Sequence, residues 1–307
     1  MGKFVRSFDQ DMIIKIKETK LFSDFLKPDI LNGKVFPAIR NNSIQFYYKG
    51  GLLFKYDKNG FQTHYKYLIN NDWLETNKYI INNDGEEIKE NNLIIKNFVE
   101  GYDSIKKTLD KYVKPEATLT SEFYKKSIFK KDVKGDNLLI DIEAAFEKQA
   151  EEVDECDVPV TGEKSRAGTD RIDVVFLDKK AKRVIFCEVK RFDDERIYSM
   201  NSKEAEVIGQ LNRYKQQLDK NKKRFNEIVD AYNSALQDYT ELFDISPFEV
   251  KDVYGQAVLF VTGCPKILYD GKTKEAVEKI KKEGFKVHFR DKASGTALNE
   301  IVKICKE

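Results

Sequence analysis

Along the first third of the chain, aromatic and β-branched residues come in short runs, 35–40, 43–49, 52–57 and 61–69, separated by Asn41-Asn42, Gly50-Gly51 and Lys58-Asn59-Gly60. Such breaks take the positive φ that tight turns between strands require, so the pattern predicts an antiparallel meander. Within 43–49, alternation puts Ile44, Phe46 and Tyr48 on one face and Gln45, Tyr47 and Lys49 on the other, an amphipathic sheet with aromatics on both sides. From 97 to 129 the spacing turns helical, with Ile105, Leu109 and Tyr112 on one face, a break at Pro115, then Phe123, Ile128 and Phe129. A polar stretch over 130–136 follows. It divides the chain into a β-rich N-terminal module, 1–130, and a second domain, 131–307.

In the second domain, Leu139, Ile142, Ala145, Phe146 and Ala150 recur at helical period, which predicts a helix over 137–153 with Asp136 as its N-cap. Strands are predicted at 157–161, 171–177 and 183–189, then a long helical region over 202–236. A strand at 256–262, a helix at 273–283 ended by Gly284, a strand at 286–290 and a terminal helix complete the chain. The order is α-β-β-β-α-β followed by α-β-α, an α/β domain in a chain that is α+β overall.

Composition narrows the class. Hydrophobic residues make up 41% of the 307 and charged residues 35%, with 21 Phe and 15 Tyr, enough apolar surface for a packed core and too much for a disordered chain. The longest apolar runs, such as 257–261, fall far short of a membrane span, and no charged-then-apolar leader opens the chain, so a cytoplasmic location and no membrane partner are expected. Cys156, Cys187, Cys264 and Cys305 have no C-x-x-C spacing, which argues for reduced thiols and against a zinc site. With only His64 and His288, histidine-built metal hydrolases are excluded. Residues 1–130 carry 22 Lys and Arg against 17 Asp and Glu, the remainder 32 against 35, so the surplus base lies in the front module.

The candidate chemistry sits in the run Arg183-Val184-Ile185-Phe186-Cys187-Glu188-Val189-Lys190. Strand alternation turns Glu188 and Lys190 to one face, and burying two charges there is costly unless they pair or bind an ion. Asp173 interrupts the strand-like 171–177, where Asp is disfavoured. A hairpin through 178–182 would bring it beside Glu188. The two carboxylates and the Val189 carbonyl then offer hard oxygen ligands suited to Mg²⁺ or Mn²⁺. Two alternatives stand beside this: Asp173 as a plain ion-pair partner of Lys190 or Arg171, and Asp170 in place of Asp173.

A helix, an Asp on the second strand, E-x-K on the third and then a helix resemble the PD-(D/E)XK nuclease superfamily, although Ile172 stands where its proline would precede Asp173. The resemblance implies a restriction-endonuclease-like α-β-β-β-α-β core with a mixed central sheet. Glu143 would be the acidic residue of the first helix, adding to catalysis and metal binding. Gly209-Gln210-Leu211-Asn212-Arg213-Tyr214 is similar to the Q-x-x-x-Y motif of the RecB-type branch, in which Gln210 and Tyr214 would face the site and help hold the nucleic-acid backbone.

What the resemblance implies is Mg²⁺- or Mn²⁺-dependent hydrolysis of phosphodiester bonds in DNA, leaving a 5′-phosphate and a 3′-hydroxyl. Asp173 and Glu188 would bind the metal, and Lys190 would orient or deprotonate the attacking water. Lys164, Arg166 and Arg171 are candidate phosphate contacts. The front sheet, with Tyr47, Lys49, Lys55, Tyr56, His64 and Lys66, is a candidate stacking surface that supplies affinity and no chemistry. A homodimer is expected, because one site per chain must otherwise nick a duplex twice. No G-x-x-x-x-G-K-[ST] is present to drive translocation, which favours a stand-alone restriction or anti-phage enzyme. The rival readings are an inactive nuclease-fold binding or interaction module, and an RNA-directed nuclease.

Overall fold

The computed structural model describes residues 4–69, 78–82, 86–130, 135–145, 171–198, 200–201, 204–218, 222–263, 271–291 and 295–306. A short helix, α1 (Gln10–Glu18), and a π-helical segment that runs into α2 (Lys27–Leu31) precede the predicted meander. Its strands, β1 (Val35–Arg40), β2 (Ser43–Tyr48), β3 (Gly51–Asp57) and β4 (Gly60–His64), pair in sequence order, and β5 (Tyr79–Asn82) extends the antiparallel sheet. The run at 61–69 leaves the sheet after His64 because its ring Nδ1 accepts the Lys66 N–H and caps a 3-10 turn over Tyr65–Tyr67.

Both faces of this sheet are covered, which the alternation of 43–49 does not reveal. Tyr47, Tyr56 and His64 are all buried, so these three rings of the expected stacking surface belong to the core, while Lys49 is exposed and Lys55 and Lys66 are half-buried. Lys49 and Gly50 both take positive φ at the β2–β3 turn. A Cβ on Gly50 would lie 2.2 Å from the Ala117 carbonyl oxygen, so glycine lets the hairpin tip press on the helix that carries Ala117. That helix is α4 (Pro115–Ser121), which follows α3 (Phe98–Asp110).

Residues 137–145 form a strand, β6 (Asn137–Ala145), and not the predicted helix. Leu138 to Ile142 are buried without a break, and a strand buried on both sides loses the period-two signature that separates it from a helix. Asp136 therefore caps nothing. The predicted strand at 157–161 lies outside the described residues. β7 (Arg171–Asp178) and β8 (Arg183–Arg191) follow as an antiparallel hairpin. Next come α5 (Glu195–Tyr198), the short pair β9 (Met200–Asn201) and β10 (Glu204–Ala205), then α6 (Glu206–Leu218), α7 (Lys222–Phe243) and β11 (Asp252–Val253). β12 (Val258–Thr262), α8 (Lys272–Lys282), β13 (Val287–Arg290) and α9 (Gly295–Ile304) close the chain.

The second sheet has the order β13-β12-β8-β7-β6, with β11 beside the start of β8. β7 runs antiparallel to both β6 and β8, whereas β12 runs parallel to β8 and β13 parallel to β12. The protein is thus mixed α+β, with an antiparallel five-stranded sheet and a mixed six-stranded one.

One buried apolar cluster runs through residues of both halves, for example where Phe129 meets Tyr239 and Phe243 at centroid distances of 4.9 and 4.8 Å. The join is also ionic. Asp141 of β6, fully buried, accepts from Arg6 Nε at 3.0 Å, Arg40 Nη1 at 2.8 Å and Tyr232 Oη at 3.1 Å. Burial opposes its charge, but Arg40 and Arg6 outweigh that and hold the carboxyl below its ordinary range. No helix among the described residues is long and apolar enough to cross a membrane. Cys187 and Cys305 are buried free thiols, while Cys156 and Cys264 lie outside the described residues.

Candidate active site

The site forms where β7 begins and β8 ends. The β7–β8 register ends where Val174 faces Cys187; Asp173 and Glu188 are the next residue along each strand, and the Glu188 charge reaches Asp173. Asp173 Oδ2 accepts the Val189 N–H at 2.6 Å, so the carboxylate is tied to the strand that carries Glu188 and Lys190. Glu188 and Lys190 alternate on one face of β8 with side chains 1% and 2% exposed, and Lys190 Nζ donates to Glu188 Oε1. The Val189 side chain is turned to the other face and fully buried.

Helix α6 supplies the remaining grip on Glu188. Gln210 and Tyr214, one turn apart, meet as the Q-x-x-x-Y spacing predicts, with Gln210 Nε2 donating to Tyr214 Oη at 2.7 Å. The same Nε2 reaches Glu188 Oε1 at 2.8 Å. The single Tyr214 hydroxyl proton is shared between the Arg171 carbonyl at 2.6 Å and Glu188 Oε2 at 3.0 Å. Gln210 and Tyr214 thus position Glu188 from the side of α6, and Arg171 enters through its backbone. Lys164 and Arg166 lie outside the described residues.

Glu143 is on β6, not on a helix, and has a positive φ of 50°. Its charge still reaches Asp173, but among the described residues no three or more His, Cys, Asp and Glu side chains are gathered closely enough to hold a metal ion. The helical acid near the site is Glu116 of α4. Its Oε1 lies 3.3 Å from Lys190 Nζ and 2.9 Å from Arg196 Nη2, and Arg196 on α5 also binds Asp194. Glu116, Asp194 and Arg196 were not legible from the motif, because Glu116 precedes it by more than fifty residues in a helix with no periodic stripe. The signal available was Pro115 opening a helix with an acid in its first turn. Glu116 of the front half therefore contacts Lys190 and Arg196 directly.

The electrostatics follow from burying more negative than positive charge. Burial first, then the Glu188 charge and that of Glu143, push the Asp173 carboxyl well above its ordinary range, and Lys190 and the Val189 N–H offset only part of this. Burial also raises Glu188, against Lys190, Tyr214 and Arg196. For Lys190, burial favours the neutral amine, but Glu188, Asp173 and Glu116 overcome it and raise its pKa. In this arrangement the Lys190 amine is held as a cation that donates to Glu188 Oε1. Burial and the Glu188 charge likewise hold the Tyr214 hydroxyl protonated.

No family, curated protein or solved structure matches the chain.

Proposed function

We propose that this protein is a metal-dependent nuclease that hydrolyses phosphodiester bonds, with DNA as its substrate. The observation that carries the reading is the meeting of Asp173 and Glu188 where β7 begins and β8 ends, Asp173 tied to the Val189 N–H, with Lys190 two residues on and Gln210 and Tyr214 closing over Glu188. The connectivity supports the reading: α4 precedes the β6–β7–β8 strands, α6 follows them, and β12 then runs parallel to β8, as a restriction-endonuclease-like core would require.

The donor set fits a hard divalent cation. Two neighbouring carboxylates, Glu188 buried and Asp173 half-buried, share a site with excess negative charge, and their raised proton affinity marks a place where an added cation is favoured. Asp173, Glu188 and the Val189 carbonyl would hold Mg²⁺ or Mn²⁺. Such an ion supplies a nucleophile of lowered pKa and neutralises charge developing on the scissile phosphate. Lys190 donates to the attacking oxygen and adds positive charge beside the phosphate. Gln210 and Tyr214 hold both oxygens of Glu188 in place.

One observation favours a second reading. Both Glu188 oxygens are already engaged by Lys190, Gln210 and Tyr214, as suits a nuclease-fold module that binds nucleic acid or protein without turnover. Incubating the protein with supercoiled, linear and single-stranded DNA and with RNA, in Mg²⁺, Mn²⁺ or EDTA, separates the readings. Cleavage of DNA with a divalent ion and none in EDTA is expected. Binding without cleavage supports the inactive module, and cleavage confined to RNA changes the substrate. A cytoplasmic restriction or anti-phage enzyme acting as a homodimer is the setting we propose.

A further inference from the structure

On the nuclease reading above, the geometry points to Arg196 as a phosphate-binding residue, whose guanidinium leaves Glu116 and Asp194 for a backbone phosphate of the nucleic acid in the site. An unbroken chain of ion pairs runs from Glu188 through Lys190, Glu116 and Arg196 to Asp194. Exposure rises from 1% at Glu188 and 2% at Lys190 to 36% at Glu116 and 37% at Arg196, and falls to 11% at Asp194. Arg196 is therefore the cation of this network that solvent, and a polyanion, can reach.

The network needs such a cation. Four carboxylates, Asp173, Glu188, Glu116 and Asp194, stand against two cations, Lys190 and Arg196. An approaching phosphate meets a repulsive field unless a positive group turns toward it.

Arg196 is built to make that exchange. Its Nε and Nη2 hold Asp194, and Nη2 also holds Glu116, while Nη1 takes no part in these bonds. A planar guanidinium matches a phosphate in the same two-pronged manner as a carboxylate, so one anion replaces another with the donors still satisfied. The Arg196–Glu116 pair, with both side chains more than a third exposed, is the weaker of its two ion pairs and the one that solvent screens most. The buried Ile197 anchors α5, which begins at Glu195 shortly after β8 ends at Arg191.

The test is fluorescence anisotropy of labelled duplex and single-stranded oligonucleotides with the full chain, in EDTA and in Ca²⁺, across about 50 to 200 mM salt. Arg196→Ala and Arg196→Gln should bind about 10-fold more weakly than wild type. Their slope of log affinity against log salt should be shallower by about 0.9 on duplex or about 0.7 on single strands, and Arg196→Lys should restore it. A merely structural role would leave that slope unchanged. Cleavage-competent protein whose Ala and Gln variants, folded by circular dichroism, keep the wild-type affinity and slope overturns the assignment. So does a wild-type protein that binds neither oligonucleotide. Loss of slope in a protein that cleaves nothing keeps Arg196 as a phosphate contact and removes the nuclease reading alone.

Discussion

Replacing Lys190 by Met removes the cation from a buried cluster while keeping its length and most of its volume. Glu188, 1% exposed, then loses its ion-pair partner, and Asp173 loses the charge that offsets it. Taking away one partner of a buried pair costs about 3 to 5 kcal/mol, because the other charge stays desolvated and unpaired. Unfolding entropy near 2.1 cal/mol/K per residue gives roughly 0.6 kcal/mol/K for 307 residues, so Tm should fall by about 5 to 8 °C. The loss should depend on pH with a definite sign. Glu188 and Asp173 already have folded pKa values above their unfolded ones. The variant raises them further, so its cost is complete above the folded values and fades as pH falls toward the ordinary carboxylate range. Calorimetry of both proteins in EDTA at pH 8 and pH 5 measures this. A Tm change under about 1 °C at pH 8, or the same change at both pH values, would refute a buried, charge-balanced pair.

Asp173→Asn should act in the opposite direction, stabilising the metal-free protein at pH 8. It removes one of two facing like charges and keeps an acceptor for the Val189 N–H, and its advantage should vanish as pH falls and wild-type Asp173 takes up its proton. Denaturant midpoints in EDTA check it, and a destabilised variant at pH 8 would instead make Asp173 the counter-ion of Lys190. Asp238, buried on α7 where it accepts the Phe8 N–H at 2.8 Å, is pushed up to about 6 by burial, against that hydrogen bond and with a push from Glu241. Stability is lost as pH rises through that value, by about 3 kcal/mol at pH 8, so Asp238→Asn should raise Tm at pH 8 and leave it unchanged near pH 4. An equal shift at both pH values would contradict this. Tyr214→Phe leaves Glu188 Oε2 and the Arg171 carbonyl short of a donor, and should lower the cleavage rate about 10- to 100-fold in initial-rate assays with the fold intact. An unchanged rate would remove Tyr214 from the site.

What the sequence disclosed depended on how local each signal was. The β7–β8 hairpin was legible because Asp173 stood out in an apolar run and Glu188 and Lys190 shared a strand parity, and Gln210 and Tyr214 because a helix places i and i+4 together. β6 was misread because Leu139, Ile142 and Ala145 fit a helical period by accident in a strand whose two faces are both buried, and Glu143 went with it. Tyr47, Tyr56 and His64 looked like a binding face because nothing local records that other elements cover the second side of the sheet. Glu116 and Arg196 were invisible for a related reason. Their meeting depends on α4 being pressed against β8 from far along the chain, with the contact at Gly50 setting where the helix lies.

The most direct measurement is the rate of DNA cleavage by Glu188→Gln beside wild type in Mg²⁺, with both proteins purified identically and shown to be folded. Glu188 is the group on which Lys190, Gln210 and Tyr214 converge, and the amide keeps its shape while removing its charge. A loss of at least about 100- to 1,000-fold, the scale of removing one preorganised electrostatic contact, is predicted, with no cleavage by either protein in EDTA. Cleavage by Glu188→Gln at the wild-type rate would contradict the assignment of this site.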